Sequence, residues 1–321
     1  MASVSRNRSS NRVLAIFPGA LGDLVCFGPA LRELSRRGRE MAPETTIELM
    51  ARPELARFAV GRMGVAHAHS IDRREMAALF AAGGEITGTA DFFRAFGRIY
   101  SFFAAEDSRF RDNLVSAAAP ATVSFHRFRP AGDGHITRNY LAEIGAGGAP
   151  LESRIDLLAE DIEAARGALA RLGLDGSRIV LVFPGSGSTH KNWPAENFVA
   201  LTAMLAPHLR PLVVFGPAEH AMEALIAPQL VSRGVAWLST PPLGTLAGLA
   251  RFAAAFVGND SGMSHLAAAV GAPGVVLFGP TDPDRWRPLG EIRIIRASSL
   301  ASLSPSEIVP AVIGQSKRPA A

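Results

Sequence analysis

Asp260, Ser261, Gly262, Met263 and His265 sit between two short apolar runs, the second ending in Gly279-Pro280-Thr281. The first run, Phe256-Val257, reads as a strand. A small-residue helix follows from about Ser261 to Gly271, and Gly274 to Phe278 reads as the next buried strand. Such a unit puts the polar residues at the carboxyl end of a strand and the amino end of a helix. Backbone N–H groups and the helix dipole there favour an anion such as a phosphate or diphosphate. The alanine-rich helix allows close packing on the sheet, as nucleotide-binding units require. Asp260 and Ser261 would also serve as plain helix caps. His265 fits a general acid, a phosphate ligand or a buried structural histidine. Of the three, a phosphate contact fits best, since a diphosphate leaving group hardly needs a proton.

Lys191 closes a second polar loop, Ser186-Gly187-Ser188-Thr189-His190-Lys191, after the apolar run Ile179 to Phe183. Hydroxyls, loop N–H groups and an ammonium above a strand end suit a diphosphate. The Gly-Lys-Ser/Thr order of a Walker loop is missing. Of 33 lysines and arginines only Lys191 and Lys317 are lysines, which singles out the one in the folded body. Glu219 follows the strand Pro211 to Phe215, where a carboxylate can accept from two ribose hydroxyls; a solvated helix-start glutamate is the competing reading. Asp23 closes the turn Gly19-Ala20-Leu21-Gly22-Asp23 after Val13 to Phe17. Its carboxylate can take a proton from an attacking hydroxyl, while Gly19 and Gly22 let an acceptor approach the backbone. A nearby phosphate would favour its protonated form by like charge. Stabilisation of the helix start by the dipole is the alternative role.

Taken in order, these stretches resemble glycosyltransferase family 9, whose best-known members are lipopolysaccharide heptosyltransferases. The family pattern is Asp-Thr-Gly-Leu-Ser-His followed by a strand ending in Gly-Pro-Thr; Ser261 and Met263 are mild departures. Lys191, Trp193 and Pro194 match its Lys-x-Trp-Pro loop, and Gly22-Asp23 its amino-terminal Gly-Asp, where the aspartate is the proposed general base. Trp193, at the start of a helix, reads as a packing residue rather than a stacking platform. The resemblance implies ribose binding by Glu219. It is dense in the second half and thin between about 40 and 150.

What the resemblance implies is an α/β protein of GT-B architecture, with two Rossmann-like doubly wound domains facing a central cleft. The expected division is a flexible basic tail at 1–12, an acceptor-binding domain at 13–150, a nucleotide-sugar domain at 151–313 with a final helix, and a tail at 314–321. The implied reaction is inverting and metal-independent, with ADP-heptose as donor, a lipopolysaccharide inner-core or related glycan as acceptor, and no cofactor beyond the donor. Another nucleotide-sugar, a protein acceptor, a nucleotide-sugar 2-epimerase and a non-catalytic nucleotide-sugar-binding module are the alternatives. Arg57, Arg62, Arg98, Arg127, Arg129 and Arg138 are candidate partners for acidic groups of an acceptor.

The bulk numbers agree with an ordinary two-domain globular chain. Its 321 residues exceed the usual single-domain size, and 48% hydrophobic with 19% charged residues excludes a disordered class. No apolar stretch reaches the roughly 18 to 20 residues that span a bilayer, and Val13 to Phe17 is too short for a signal-peptide core. A cytoplasmic location follows, with at most peripheral contact at the inner membrane. A net charge of +4 permits an acidic partner, but the scattered arginines form no nucleic-acid-binding module. The single cysteine, Cys26, excludes an internal disulfide and reads as a packing residue of the first helix, with no histidine near it in sequence. Asp282 and Asp284, set between prolines, read as a turn rather than a cation site.

The elements that must position these residues alternate. In the first half, strands are expected near Thr46 to Met50, Arg98 to Phe102 and Ala121 to Phe125, after Val13 to Phe17. Helices are expected around Leu24 to Arg37, Glu54 to Arg62, Arg74 to Ala81 and Ile136 to Ile144. The flexible stretch Gly145 to Ser153 separates this half from a helix at Glu160 to Leu172. The helix Ala195 to Leu205 and a last one at Pro305 to Ile313, capped by Ser304 with Glu307, complete the second half. The alternation predicts parallel sheets with right-handed crossovers.

Overall fold

The computed structural model describes residues 11–81, 87–175 and 178–316. The expected tails therefore lie outside the described residues at 1–10 and 317–321. The chain forms two compact units. One takes the chain up to Ala20, Phe27–Gly132 and Thr137–Ala149; the other takes Leu21–Cys26, Asp133–Ile136 and the chain from Pro150 onward. The short segment Leu21–Cys26 thus belongs to the second unit, although the strand before it belongs to the first.

In the first unit β1 (Arg12–Ile16), β2 (Thr46–Ala51), β3 (His67–Ser70), β4 (Arg98–Ser101) and β5 (Thr122–Phe125) form a sheet in the order β3-β2-β1-β4-β5. Every pairing is parallel. The crossovers carry α1 (Leu21–Met41), α2 (Pro53–Ala59), α3 (Arg74–Ala78), α4 (Thr87–Phe93) and α5 (Ser108–Ala118), with α6 (Ile136–Glu143) after β5. Leu14, Ile16, Ile99, Phe93, Phe110 and Leu114 meet in one core. Phe17 stacks on Phe27 with centroids 4.3 Å apart and meets Phe102 edge-on.

Arg12, expected in the tail, opens β1. Its guanidinium donates to the fully buried Glu48 of β2 at 2.6 and 3.0 Å, and His69 of β3 joins the same carboxylate at 2.7 Å. Burial pushes the Glu48 carboxyl up, but hydrogen bonds from His69 and Arg12 outweigh it and hold the group at about 2. The ion pair extends the strand one residue beyond the apolar run.

The second unit opens with α7 (Ala159–Arg171) and continues as β6 (Ile179–Phe183), α8 (Ala195–Leu205), β7 (Arg210–Phe215), α9 (His220–Ser232), β8 (Ala236–Ser239), α10 (Leu243–Phe252), β9 (Ala255–Asn259), α11 (Gly262–Ala269), β10 (Gly274–Phe278), α12 (Pro283–Trp286), β11 (Ile292–Arg296) and α13 (Pro305–Ser316). Its parallel sheet runs β11-β10-β9-β6-β7-β8. β6, β9 and β10 are buried along their whole length, as expected where helices cover both faces. The last helix runs three residues past the expected Ile313, because the Gln315 side chain donates to the Gly274 carbonyl at 3.1 Å and keeps the chain against the sheet.

The strand order of each sheet reverses once, between β1 and β4 and between β6 and β9. In open α/β sheets ligands bind outside the carboxyl ends of the strands at such a switch point. In the second sheet, Phe183 pairs with Gly258, so the exits of β6 and β9 lie side by side.

Candidate functional site

The loops leaving β6 and β9 carry Lys191 and Asp260. Lys191 lies in a single 3-10 turn, Thr189–Lys191, and its Nζ donates to Asp260 Oδ2 at 2.8 Å. The same oxygen accepts from Thr281 Oγ1 at 2.7 Å, on the loop after β10. Three strand exits therefore converge on one carboxylate, which is 6% exposed, whereas the lysine is 32% exposed.

Ser261 is the N-cap of α11 and accepts from the Ser264 N–H at 3.3 Å, so it does cap the helix. Ser264 Oγ donates to the Asn259 carbonyl at 2.7 Å and anchors the first turn of α11 to β9. At Gly262 a Cβ would lie 2.9 Å from Leu21 Cβ and 3.0 Å from the Gly22 nitrogen. Only a residue without a side chain lets the start of α1 reach α11 this closely. Two helix N-termini, each with first-turn N–H groups and a positive dipole end, therefore adjoin within the second unit.

This approach brings Asp23, 8% exposed and in the first turn of α1, beside His265 of α11. Burial drives the His265 imidazole down to about 4 against the pull of the Asp260 and Asp23 carboxylates; His135 and Lys191 push it further down. The ring is neutral at pH 7. Its Nδ1 lies 3.6 Å from Cys26 Sγ. Cys26 does pack in the first helix, but it has a histidine neighbour in space that lies 239 residues away in sequence.

Glu219, just before α9, is buried and fastens two loops. Its Oε2 accepts from the Gly216 N–H at 2.6 Å and its Oε1 from the Gly187 N–H at 3.2 Å. Gly187 has φ +70°, the left-handed region that favours glycine, and so aims its N–H at the carboxylate. The solvated helix-start alternative for Glu219 is excluded by its burial. Met263 completes this side, with its Cε 3.8 Å from the place of a Cβ on Gly216. Ser186 Oγ lies 2.8 Å from the Ser188 carbonyl and 2.6 Å from Asn192 Oδ1, while Ser188 and Thr189 are exposed.

Gly19 lies in the exit turn of β1 and belongs to the first unit. Among the arginines considered for acidic groups, Arg62 is buried and donates to the Phe58 and Val60 carbonyls, and Arg138 donates to those of Gly147 and Ala149. Both hold backbone. Asp282 caps α12 by accepting from the Asp284 N–H at 3.2 Å, which is the turn expected of that pair.

Three residues of the site were not singled out from sequence. Thr281 only ends the Gly279-Pro280-Thr281 run after β10, and Asn259 is the last residue of β9, with no local spacing that marks either. His135, which has no metal-ligand spacing to the other histidines, is 8% exposed, and its Nε2 lies 2.8 Å from the Arg287 carbonyl. Burial pushes its imidazole down, against that hydrogen bond, and the Arg287 and Arg285 charges push it the same way.

Known proteins are similar to this chain in sequence over part of its length and in fold over nearly all of it. Lipopolysaccharide heptosyltransferase 1 of Escherichia coli K12 is 31% identical over 127 residues, 38% of this chain and 39% of that protein. The chain thus matches about two fifths of that relative's length. Two solved structures match almost throughout. The glycosyl transferase family 9 protein of Veillonella parvula superposes with a TM-score of 0.75 at 17% identity, over 95% of this chain and 97% of that one. The E. coli ADP-heptose lps heptosyltransferase II gives 0.74 at 21% identity, over 96% and 100%. These likenesses establish a GT-B fold. The model of glycosyltransferase family 9 (heptosyltransferase) matches residues 137–305, just over half of the 321, so the chain belongs to that family.

Proposed function

We propose that this protein is a glycosyltransferase that moves a heptose from ADP-heptose to a sugar of a lipopolysaccharide inner core, with inversion and without a metal. The observation that carries the reading is the convergence of Lys191, Asp260, Thr281 and two helix N-termini on the exits of β6 and β9. That set suits a diphosphate, and the matching relatives are named for heptose transfer, one of them for ADP-heptose.

Asp23 takes the proton of an acceptor hydroxyl, whose oxygen forms a bond to the anomeric carbon. The bond from that carbon to the diphosphate breaks on the opposite face, and the electron pair leaves with the nucleotide. Lys191 and the N–H groups at the starts of α11 and α1 stabilise the charge that develops there. These groups supply positive charge where a metal ion would otherwise act. Neutral His265 offers a hydrogen bond to a phosphate oxygen. Glu219 accepts from ribose hydroxyls with the lone pairs that the Gly187 and Gly216 N–H groups leave over.

The test is incubation with ADP-heptose and a heptose-free core acceptor, following ADP release and the mass of the acceptor. A gain of one heptose with ADP release supports the reading. Release of a different nucleotide from another donor would retain the mechanism and overturn the donor. No transfer from any donor, with intact nucleotide binding, favours a binding module.

A further inference from the structure

We propose that Asn259 is a positioning residue for nucleotide binding: its side-chain amide sets the span of the loop after β6 and thereby places Lys191 against the diphosphate. This rests on the donor reading above.

Asn259 is the last residue of β9 and is fully buried. Its Nδ2 donates to the Pro184 carbonyl at 2.7 Å, and its Oδ1 accepts from the Trp193 N–H at 3.0 Å. Pro184 and Trp193 bracket the loop that contains Ser186 to Lys191. One carboxamide therefore grips both ends of that loop. Lys191, two residues before Trp193, then reaches the residue that follows Asn259, namely Asp260. The separation of lysine and aspartate is fixed from a single point on β9.

The far side of the grip is also secured. The Trp193 indole N–H donates to the Leu303 carbonyl at 3.0 Å, and the ring is fully buried against Phe198. The Asn259 carbonyl accepts from Ser264 Oγ, which ties the same residue to the start of α11. Both arms of the site, the lysine loop and the helix N-terminus, are thus referred to Asn259.

The chemistry of the grip needs an amide. A carboxamide offers a donor and an acceptor side by side. Aspartate keeps the acceptor for the Trp193 N–H but sets an oxygen against the Pro184 carbonyl. Alanine keeps neither bond and leaves both buried backbone groups without their partner.

The test is a double-mutant cycle read by calorimetric titration with ADP: the unaltered protein, Asn259→Ala, Lys191→Ala and the double variant, each checked for folding by circular dichroism and melting. We expect Asn259→Ala to weaken ADP about tenfold or more, and to weaken it by less than about threefold where Lys191 is already alanine. That non-additivity follows because a lysine that is absent cannot be misplaced. Should Asn259→Ala fail to fold, Asn259→Asp carries the same cycle. Equal losses in both backgrounds, or unchanged affinity in a folded Asn259 variant, would overturn the inference alone. If the unaltered protein binds no nucleotide, the donor reading falls and takes the inference with it.

Discussion

Lys191 and Asp260 meet at 2.8 Å from two different strand exits, with the aspartate buried and the lysine one-third exposed. The pair joins the loop after β6 to the turn after β9 at the reversal point of the second sheet. A cation held in this way stands ready for an anionic ligand, and its partner carboxylate is secured from the other side by Thr281.

That asymmetry predicts a stability effect. Lys191→Ala leaves a buried carboxylate without its cation and should lower stability by about 1–2 kcal/mol, a figure discounted for the exposure of the lysine. Adding Asp260→Asn should restore most of the loss, since a neutral amide needs no cation. Urea melts of the two variants and the unaltered protein check this.

Asp23→Asn keeps the shape of the side chain and removes the base. Transfer rate should fall by about 10²- to 10⁴-fold while ADP affinity changes by less than about twofold. Rate and calorimetric affinity, measured on one preparation, check the pair of outcomes. An unchanged transfer rate would exclude Asp23 as the base.

The two glycines at the helix starts should differ. A Cβ on Gly262 meets Leu21 and the Gly22 nitrogen at 2.9 and 3.0 Å, whereas a Cβ on Gly22 meets Gly262 Cα and His265 Cδ2 at 3.4 Å. Gly262→Ala should therefore cost about 1–3 kcal/mol and most of the transfer activity. Gly22→Ala should cost less of both. Melting temperatures and initial rates rank them.

Acidification should weaken the fold in two windows. The His265 imidazole titrates at about 4 when folded and near 6.5 in the unfolded chain, so stability is fully present above pH 6.5 and is lost as pH falls toward 4. Glu48, held at about 2 against 4.5 when unfolded, keeps its contribution above 4.5 and loses it between there and 2. His265→Gln should shrink the upper window, to which the lowered His135 also contributes, and leave the lower one, which chemical melts at a series of pH values will separate.

Much of the scaffold was legible because buried parallel strands write themselves as unbroken apolar runs. Ile179 to Phe183 and Gly274 to Phe278 are such runs, and their observed bounds are the expected ones. β3, with the sequence His-Ala-His-Ser, β8, with Ala-Trp-Leu-Ser, and β11, with Ile-Arg-Ile-Ile-Arg, are not among the expected strands. They are edge strands, partly exposed, and their polar residues break the kind of apolar run that marks β6 and β10. α4 and α5 also went unread, in the stretch where the family pattern is thin.

Lys191, Asp260 and Glu219 were legible because glycine turns and strand exits mark their places. Their partners were not. The Asn259 amide bridges 66 residues to Trp193 and 75 to Pro184, and Cys26 bridges 239 to His265. Contacts of that range leave no trace in local spacing. The roles of Arg62 and Arg138 were opaque for the same reason, since a guanidinium that holds backbone carbonyls looks, in sequence, like one that awaits a phosphate.

The central claim is that the exits of β6 and β9 bind the diphosphate of an adenine nucleotide through Lys191. Calorimetric titration with ADP, UDP and GDP, repeated on Lys191→Ala, tests it most directly. Selective binding of ADP, weakened about tenfold or more in the variant, is the predicted result. Binding of ADP that is indifferent to Lys191, or no binding of any of the three, would contradict it.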